Sequence, residues 1–242
     1  VNDGFYRVDD FKPFDSKSRT WTLKDGVVNS SPLSGDPRPG NAKFKKLTPV
    51  DENSANPYTL TDDDRTVIGN TTPKFSGGFG LNATFKGFDV SAFFNFMYDF
   101  DVFNANKVMM TTWASNNYNN FSMDISAAKR WRNFDDMGNE IRYSPEILAE
   151  FNKNATMWNP TSIGRPIAMS YAVEDGSFLR LNTATIGYTL PRAWTNKVGL
   201  SRVRFYASGY NLFTITGYSG YDPEVDIATG LTPNIDNNRY PR

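Results

Sequence analysis

FSGGFGLNATFKGFDVSAFFNFMYDF, residues 75 to 100, can fold back on itself with Lys86 and Gly87 as a two-residue turn. Glycine supplies the positive φ that such a tight hairpin turn requires. The turn fixes which residues of the two arms face each other. On one face the facing residues are Phe85 with Phe88, Ala83 with Val90, Leu81 with Ala92, Phe79 with Phe94, Gly77 with Phe96, and Phe75 with Tyr98. This face is apolar throughout, and a shift by one residue would mix it with the other face, so the sequence predicts a long hairpin in this register.

The opposite face of the hairpin is small, polar or charge-compensated. Its facing pairs are Thr84 with Asp89, Asn82 with Ser91, Gly80 with Phe93, Gly78 with Asn95, Ser76 with Met97, and Lys74 with Asp99. Arms of about 11 residues, tilted by about 45°, rise roughly 25 Å, which is the height of the lipid-facing band of an outer-membrane barrel. A soluble strand has only about 5 to 6 residues. A hairpin of a soluble β-sandwich, with this apolar face in its core, is the alternative.

The two faces therefore predict two environments. The residues expected to face lipid are Phe79, Leu81, Phe85, Val90, Phe94 and Phe96. The residues expected to face the lumen of a barrel or a plug are Asn82, Thr84, Asp89, Ser91 and Asn95.

Composition narrows the possible functions of the 242 residues. The 26 basic and 26 acidic side chains cancel, so the chain has no overall basic field that would favour nucleic acid. It has no cysteine and no histidine, which excludes disulfides and thiolate zinc sites and removes the commonest general base. The sequence contains no run of 18 apolar residues, so it predicts no transmembrane helix. Nothing at Val1 resembles a signal peptide, and we therefore expect a piece of a longer protein.

The rest of the chain alternates between long and short connections. Further strands are predicted at residues 1–8, 177–190 and 201–215. The broken alternation at the start of the second indicates either a bulge or packing of its first residues against a loop. Long loops are predicted at residues 9–73, 101–176 and 216–242, and short helices at residues 124–131 and 145–151. Long loops at one rim and tight turns at the other are typical of an up-and-down outer-membrane barrel whose long loops are extracellular.

Several blocks of sequence, in this order, resemble the SusC/RagA family of TonB-dependent outer-membrane transporters of Bacteroidetes. The blocks are residues 64–70 (DRTVIGN), 73–75 (PKF), 86–91 (KGFDVS), 128–131 (AKRW), 173–182 (VEDGSFLRLN), 186–191 (IGYTLP), 203–213 (VRFYASGYNLF) and 220–225 (GYDPEV). Residues 47–54 depart from the family's calcium-like loop, because they lack its acidic spacing. The family's final aromatic-ended strand, its plug and its TonB-interacting segment are not found in this sequence.

The resemblance implies a fold and a role. The fold is an all-β, antiparallel transmembrane barrel, of which residues 1–242 would form the C-terminal part: about five strands of about 22, without the plug. The role is import of glycans or oligopeptides across the bacterial outer membrane, together with a SusD-like surface lipoprotein that acts as a lid. The TonB complex would act through the missing N-terminal part. No catalytic residue, cofactor or metal ligand is implied.

Aromatic residues in the second long loop are the candidate contacts to cargo or lid: Trp113, Tyr118, Trp131 and Trp158. Their alternative is a small core of the loop itself. The acidic cluster Asp62–Asp64 has oxygens that could bind Ca²⁺, but a solvated turn fits its spacing better.

Two other classes of function remain open from the sequence. One is a secreted carbohydrate-binding β-domain whose tryptophans and tyrosines stack on glycans. The other is a glycosidase that uses Asp222 and Glu224 as paired carboxylates, although their spacing in a loop beside Pro223 favours a solvated turn. A chain that stays soluble and monodisperse without detergent would favour the carbohydrate-binding domain over the barrel.

Overall fold

The computed structural model describes residues 1–113, 121–163, 167–225 and 234–237. The chain divides into two compact units, each made of two segments. We call Val1–Ile68 with Asn104–Val173 the loop unit, and Gly69–Phe103 with Glu174–Arg242 the sheet unit.

Most of the regular elements along the chain are β-strands. The strands are β1 (Asn2–Phe5), β2 (Ala42–Phe44), β3 (Phe75–Phe85), β4 (Phe88–Tyr98), β5 (Asp101–Asn104), β6 (Val173–Asp175), β7 (Phe178–Thr189), β8 (Arg204–Thr216) and β9 (Ile235–Asp236). The helices are α1 (Ser31–Ser34), α2 (Ala105–Thr111), α3 (Pro145–Phe151) and α4 (Arg192–Thr195). Among the described residues, no helix has the length and apolar character needed to cross a membrane.

The sheet unit is built on an antiparallel sheet of four long strands in the order β3-β4-β7-β8. The register of the β3–β4 hairpin is confirmed at every pair, from Phe85 opposite Phe88 to Phe75 opposite Tyr98. Lys86 and Gly87 both have positive φ, 49° and 90°, as a type I′ turn requires. Gly87 is needed for a second reason, because a Cβ there would lie 2.8 Å from the carbonyl oxygen of Thr189.

The expected irregularity near the start of β7 is confirmed as a bulge. The pairing of β7 with both neighbours shifts between Leu181 and Thr183, and Asn211 on β8 takes a positive φ of 49° at the same level. The extra residue changes the phase of the alternation. As a result Leu181 lies opposite Phe94, on the same face as Ile186 opposite Val90, and the apolar face continues across all four strands.

The first predicted strand needs a correction. β1 pairs with β2 in a separate two-stranded sheet of the loop unit, so the long-strand sheet contains four described strands rather than five. Its register shifts between Asn2 and Phe5, where Gly4 has a φ of 79°. A strand of four residues interrupted in this way is far too short to cross a bilayer.

Residues 9–68 and 104–173, which belong to two of the predicted long loops, do not fold separately. They share one core, and its buried members are Trp131, Ile141, Leu148 and Ala155, flanked by Phe5, Val8, Trp21 and Phe151. The helix α3 is confirmed at Pro145–Phe151, but the helix predicted at residues 124–131 is wrong. Only a 3-10 turn forms at Met123–Ile125, and the N–H of Trp131 donates to the carbonyl of Met157 instead of to a helix.

Candidate functional site

The polar face of the sheet unit carries an ion pair between strands that are not neighbours. Arg204 on β8 donates from Nε and Nη2 to the two carboxylate oxygens of Asp89 on β4, at 3.0 and 2.5 Å. The pair crosses β7 at Gly187, where a Cβ would lie 2.5 Å from Arg204 Nη2. The absence of a side chain at this position is therefore what lets the arginine reach its partner.

A second arginine fixes the segment that follows β8. Arg180 donates from Nη1 to Glu224 Oε2 at 2.8 Å, from Nη2 to Asp222 Oδ1 at 2.5 Å, and from Nε to Thr214 Oγ1 at 3.0 Å. The arginine is buried, whereas the two carboxylates are partly open to solvent. Planar guanidinium groups suit such multiple pairing with carboxylates. Asp222 and Glu224 are thus occupied as ion-pair partners of one cation, which is not the arrangement of a general acid and a nucleophile.

An apolar cluster in the sheet unit lies beside Arg180 and its two carboxylate partners, which together we call the Arg180 anchor. It consists of Phe100, Val102, Phe178, Tyr218 and Val225, with Met97 packed against it. Burial raises the pKa of Tyr218, and the hydrogen bond from its hydroxyl to Asp236, at 2.7 Å, raises it further. The hydroxyl therefore stays protonated at physiological pH. Together, Arg180 and this cluster hold residues 217–225 in one place.

Arg180 is a functional residue that was not predicted from the sequence. Its signal is a charged residue in the otherwise apolar run FLRL at residues 178–181, followed after β8 by the acidic pair of YDPE at residues 221–224. Because apolar strands rarely bury an unpaired charge, this combination predicts an ion pair even though 42 residues separate Arg180 from Asp222.

Replacing Arg180 by methionine should release residues 217–225. The substitution keeps the apolar stem but leaves two carboxylates without their cation, and we expect a loss of about 1 to 3 kcal/mol, reduced from the fully buried value because both carboxylates are solvated in part. Hydrogen exchange measured by mass spectrometry should show faster exchange in this segment.

Arg65→Met is the matched control for this change. Arg65 pairs with Asp62 at 2.8 Å, but both side chains are exposed, so its loss should change stability by less than about 0.5 kcal/mol. Unchanged exchange at residues 217–225 in the Arg180 variant would contradict the anchoring role.

The structure separates the aromatic residues that the sequence grouped as contacts. Trp113 is 53% exposed and stacks on Phe121, with ring centroids 5.3 Å apart. Trp131 and Trp158 are each only 2% exposed, so their prediction as contacts to cargo or lid is corrected. Tyr118 lies outside the described residues.

The two buried tryptophans belong to the packing of the loop unit. Trp131 packs edge-on against Phe5, with centroids 5.7 Å apart, and lies over the backbone of Gly40. Trp158 packs edge-on against Tyr171 at 4.8 Å. Large aromatic side chains gain more from burial than from exposure, which explains why these two form a core.

The six residues predicted to face lipid lie on the apolar face of the sheet. Phe79 and Phe94 stack across the hairpin with centroids 5.0 Å apart. The exposed members, at 45 to 70%, are Phe79, Leu81, Phe85 and Val90, while Phe94 and Phe96 are partly buried. Asp89 marks the opposite face through its pair with Arg204, and Asn82, Thr84, Ser91 and Asn95 share that face by register.

Asp64 organises the loop between residues 46 and 64. One carboxylate oxygen accepts hydrogen bonds from the N–H groups of Leu47 and Thr48 and from the Thr48 hydroxyl, each at 2.8 Å. The other oxygen accepts from Thr61 N–H at 2.9 Å and from Lys46 at 3.3 Å. Burial alone would raise the pKa of Asp64, but these hydrogen bonds outweigh it and hold the pKa well below its usual range. Within the described residues, no group of three acidic side chains is placed to hold a metal ion.

Comparison with known proteins identifies the class to which this sheet belongs. No known family profile matches the chain. Two solved structures of RagAB share its fold at a TM-score of 0.50: the peptide importer in the closed-closed state, at 21% identity over 99% of this chain, and the peptide transporter, at 22% identity over 84%. The chain covers 21% and 20% of those chains. The long antiparallel strands with one apolar face thus share the fold of part of these RagAB chains.

Sequence relatives then give the family. TonB-dependent receptor P3 of Formosa agariphila is 34% identical over 80% of this chain, and TonB-dependent receptor SusC of Bacteroides thetaiotaomicron is 32% identical over 57%. The chain spans 16% and 14% of the lengths of these relatives. It belongs to the SusC/RagA-type TonB-dependent receptors, which are outer-membrane proteins.

Proposed function

We propose that this chain forms part of the wall and the outward loops of an outer-membrane importer of glycans or oligopeptides. The observation that carries the proposal is the sheet of four strands, 11 to 13 residues long, with one continuous apolar face. This is the length that a tilted strand needs to cross the hydrocarbon layer. The relatives are receptors rather than enzymes, and the carboxylates Asp222 and Glu224 are engaged with Arg180, so the chain acts by binding and passage rather than by catalysis.

Lipid contacts the apolar face in this proposal, at Phe79, Leu81, Phe85, Val90, Phe94 and Phe96. The polar face borders the lumen or a plug, with Asn82, Thr84, Asp89, Ser91 and Asn95 along the hairpin. The exposure of the apolar side chains and the compensation of Asp89 by Arg204 both support this arrangement, because uncompensated charge is costly at membrane depth.

Further strands complete the barrel on both sides of the sheet in this proposal. Among the described residues, β3 and β8 each pair on one side only. An open strand edge in hydrocarbon leaves backbone N–H and C=O groups without partners, at several kcal/mol each, so both edges require neighbours. A plugged barrel of this type contains about 22 strands, and the present chain contributes to its C-terminal part.

Two protein partners follow from the same proposal. A SusD-like lipoprotein covers the outward loops, which is supported by the similarity to SusC and by the RagAB assemblies among the structural neighbours. The TonB complex supplies energy through another part of the receptor. Of the four aromatic residues predicted to contact lid or cargo, Trp113 is the one that the structure describes as exposed, and it is the proposed contact.

Labelling of introduced cysteines tests the sidedness. These 242 residues contain no cysteine, and a single one is introduced at Met137, which is 90% exposed in the loop unit. The unaltered receptor, labelled in parallel, gives the background signal. We expect a membrane-impermeant maleimide to label the Met137→Cys receptor on intact cells, because long loops of such barrels are extracellular. The matched variant Lys86→Cys places the cysteine in the tight β3–β4 turn and should react only after the outer membrane is permeabilised. The reverse pattern, or labelling of both only after permeabilisation, would refute the proposed orientation.

A further inference from the structure

A cleft of about 480 Å³ lies within the loop unit, and all of its described lining residues lie between positions 113 and 161. This volume is in the range of small-ligand sites in proteins. One wall carries the aromatic pair Trp113 and Phe121, whose rings are nearly parallel, at 18°, and both exposed. Arg130 and Trp131 line the cleft as well, and so does Asn159.

Backbone hydrogen bonds hold the walls of this cleft in position. The N–H of Trp113 donates to Pro160 O at 2.8 Å, and the N–H of Trp131 donates to Met157 O at 2.8 Å. The N–H of Asn159 donates to Gly40 O at the same distance. The segment 157–160 is therefore fastened to both tryptophans, and the aromatic platform has a fixed position relative to the buried core.

The charge in the cleft is predominantly positive. Three arginines line it, Arg130, Arg132 and Arg142, against the single carboxylate of Asp135. Arg132 is paired with Asp136, and Arg142 with Glu140. Asp135 accepts hydrogen bonds from Met137 and Asn139 in its own turn.

Arg130 differs from the other two arginines. Its Nη1 donates to the carbonyl of Ile125 at 2.9 Å, and no carboxylate of the described residues pairs with it. A partly buried guanidinium without a counter-ion favours binding of an anion.

We propose that this cleft binds an acidic oligosaccharide, with a sugar ring stacked on Trp113 and a carboxylate or sulfate group held by Arg130. A flat exposed aromatic surface suits the C–H face of a sugar ring, and guanidinium and amide donors suit its acidic and hydroxyl groups. An extended peptide would instead pair its backbone with a strand edge, and no described lining residue belongs to one of the strands β1 to β9. The inference deepens the proposed import function by naming a substrate class, and it rests on that function only for the side of the membrane.

Isothermal titration calorimetry on the complete receptor, purified in detergent, tests the assignment. Three probes are compared: a trisaccharide of galacturonic acid, the same trisaccharide with its carboxyl groups reduced to alcohols, and tri-glutamate. We expect the acidic trisaccharide to bind at least about tenfold more tightly than the reduced one, because only the acidic sugar can accept a charge-assisted hydrogen bond from Arg130. Arg130→Gln should abolish this preference, Arg130→Lys should keep part of it, and Trp113→Ala should weaken both sugars.

The control variant is Lys153→Gln, which removes an exposed cation that pairs with Glu150 outside the cleft, and its affinities should equal those of the unaltered receptor. Equal binding of acidic and reduced sugars would overturn the inference. So would tighter, Arg130-dependent binding of tri-glutamate, or no binding of the acidic trisaccharide at millimolar concentration. Because the measurement needs no transport, a receptor that imports but does not bind refutes only this inference, whereas one that binds but is labelled from the wrong side refutes the proposed function.

Discussion

Replacing Gly40 by alanine is expected to lower the unfolding free energy of the loop unit by about 3 kcal/mol, the sum of a backbone cost and a packing cost. Gly40 has a φ of 87°, and a Cβ there would lie 2.1 Å from Cδ1 of Trp131. The indole cannot move away, because Trp131 is buried against Phe5 in the core of the unit. Hydrogen exchange of core peptides, such as those containing Leu148, should become correspondingly faster.

Gly138→Ala is the matched control for this variant. Gly138 has nearly the same φ, 86°, but a Cβ there meets no atom within 4 Å. Its substitution should cost only the backbone term of about 1 to 2 kcal/mol. If both variants lose the same stability, the contact between Gly40 and Trp131 is not what holds this core together.

Replacing Phe94 by arginine is expected to destabilise the barrel by about 2 to 4 kcal/mol, the cost of a charge facing lipid near the middle of the bilayer. Phe94 lies centrally on β4, stacks on Phe79 and lies opposite Leu181 on the neighbouring strand β7. Folding of the receptor into lipid vesicles, followed by heat-modifiable migration in gels, measures the loss.

Ser91→Arg provides the control, because Ser91 lies three residues away on the same strand but on the polar face, opposite Asn82 and Thr185. An arginine there borders the polar interior of the proposed barrel and should cost much less. Equal costs for the two variants, or a greater cost at Ser91, would show that the apolar face does not meet lipid.

The sequence predicted those parts of the fold that depend on local pattern. Strict alternation and the Lys86-Gly87 turn specify the β3–β4 hairpin pair by pair, and the break in alternation after Phe178 reveals the bulge. Both signals lie within a few residues of the structure they predict.

The loop unit could not be predicted in this way. Contacts within this unit join Gly40 to Trp131 and Asn2 to Ser170, which lie 91 and 168 positions apart in the chain. No periodic pattern records such pairings, and an aromatic residue in a loop has the same appearance in sequence whether it is exposed, as Trp113 is, or buried, as Trp131 is. The Arg180 anchor lies between these two cases. The sequence contains the arginine and the two carboxylates, but it does not show that they lie close together.

The Asp89–Arg204 pair has a consequence for how the barrel strands find their neighbours during assembly. A slip of β8 by one residue is rejected by the alternation of faces, but a slip by two residues keeps every face in place and would pass that check. In the native register Arg204 lies opposite Thr189 and reaches diagonally over Gly187 to Asp89. A slip by two residues away from Gly187 moves the arginine about 7 Å along the strand and places it opposite Pro191. The arginine would then lie beyond the end of β7 and out of reach of Asp89, and both charges would be left unpaired beside the membrane interior. Alternation thus excludes slips by one residue, and the ion pair excludes the slip by two residues toward Pro191.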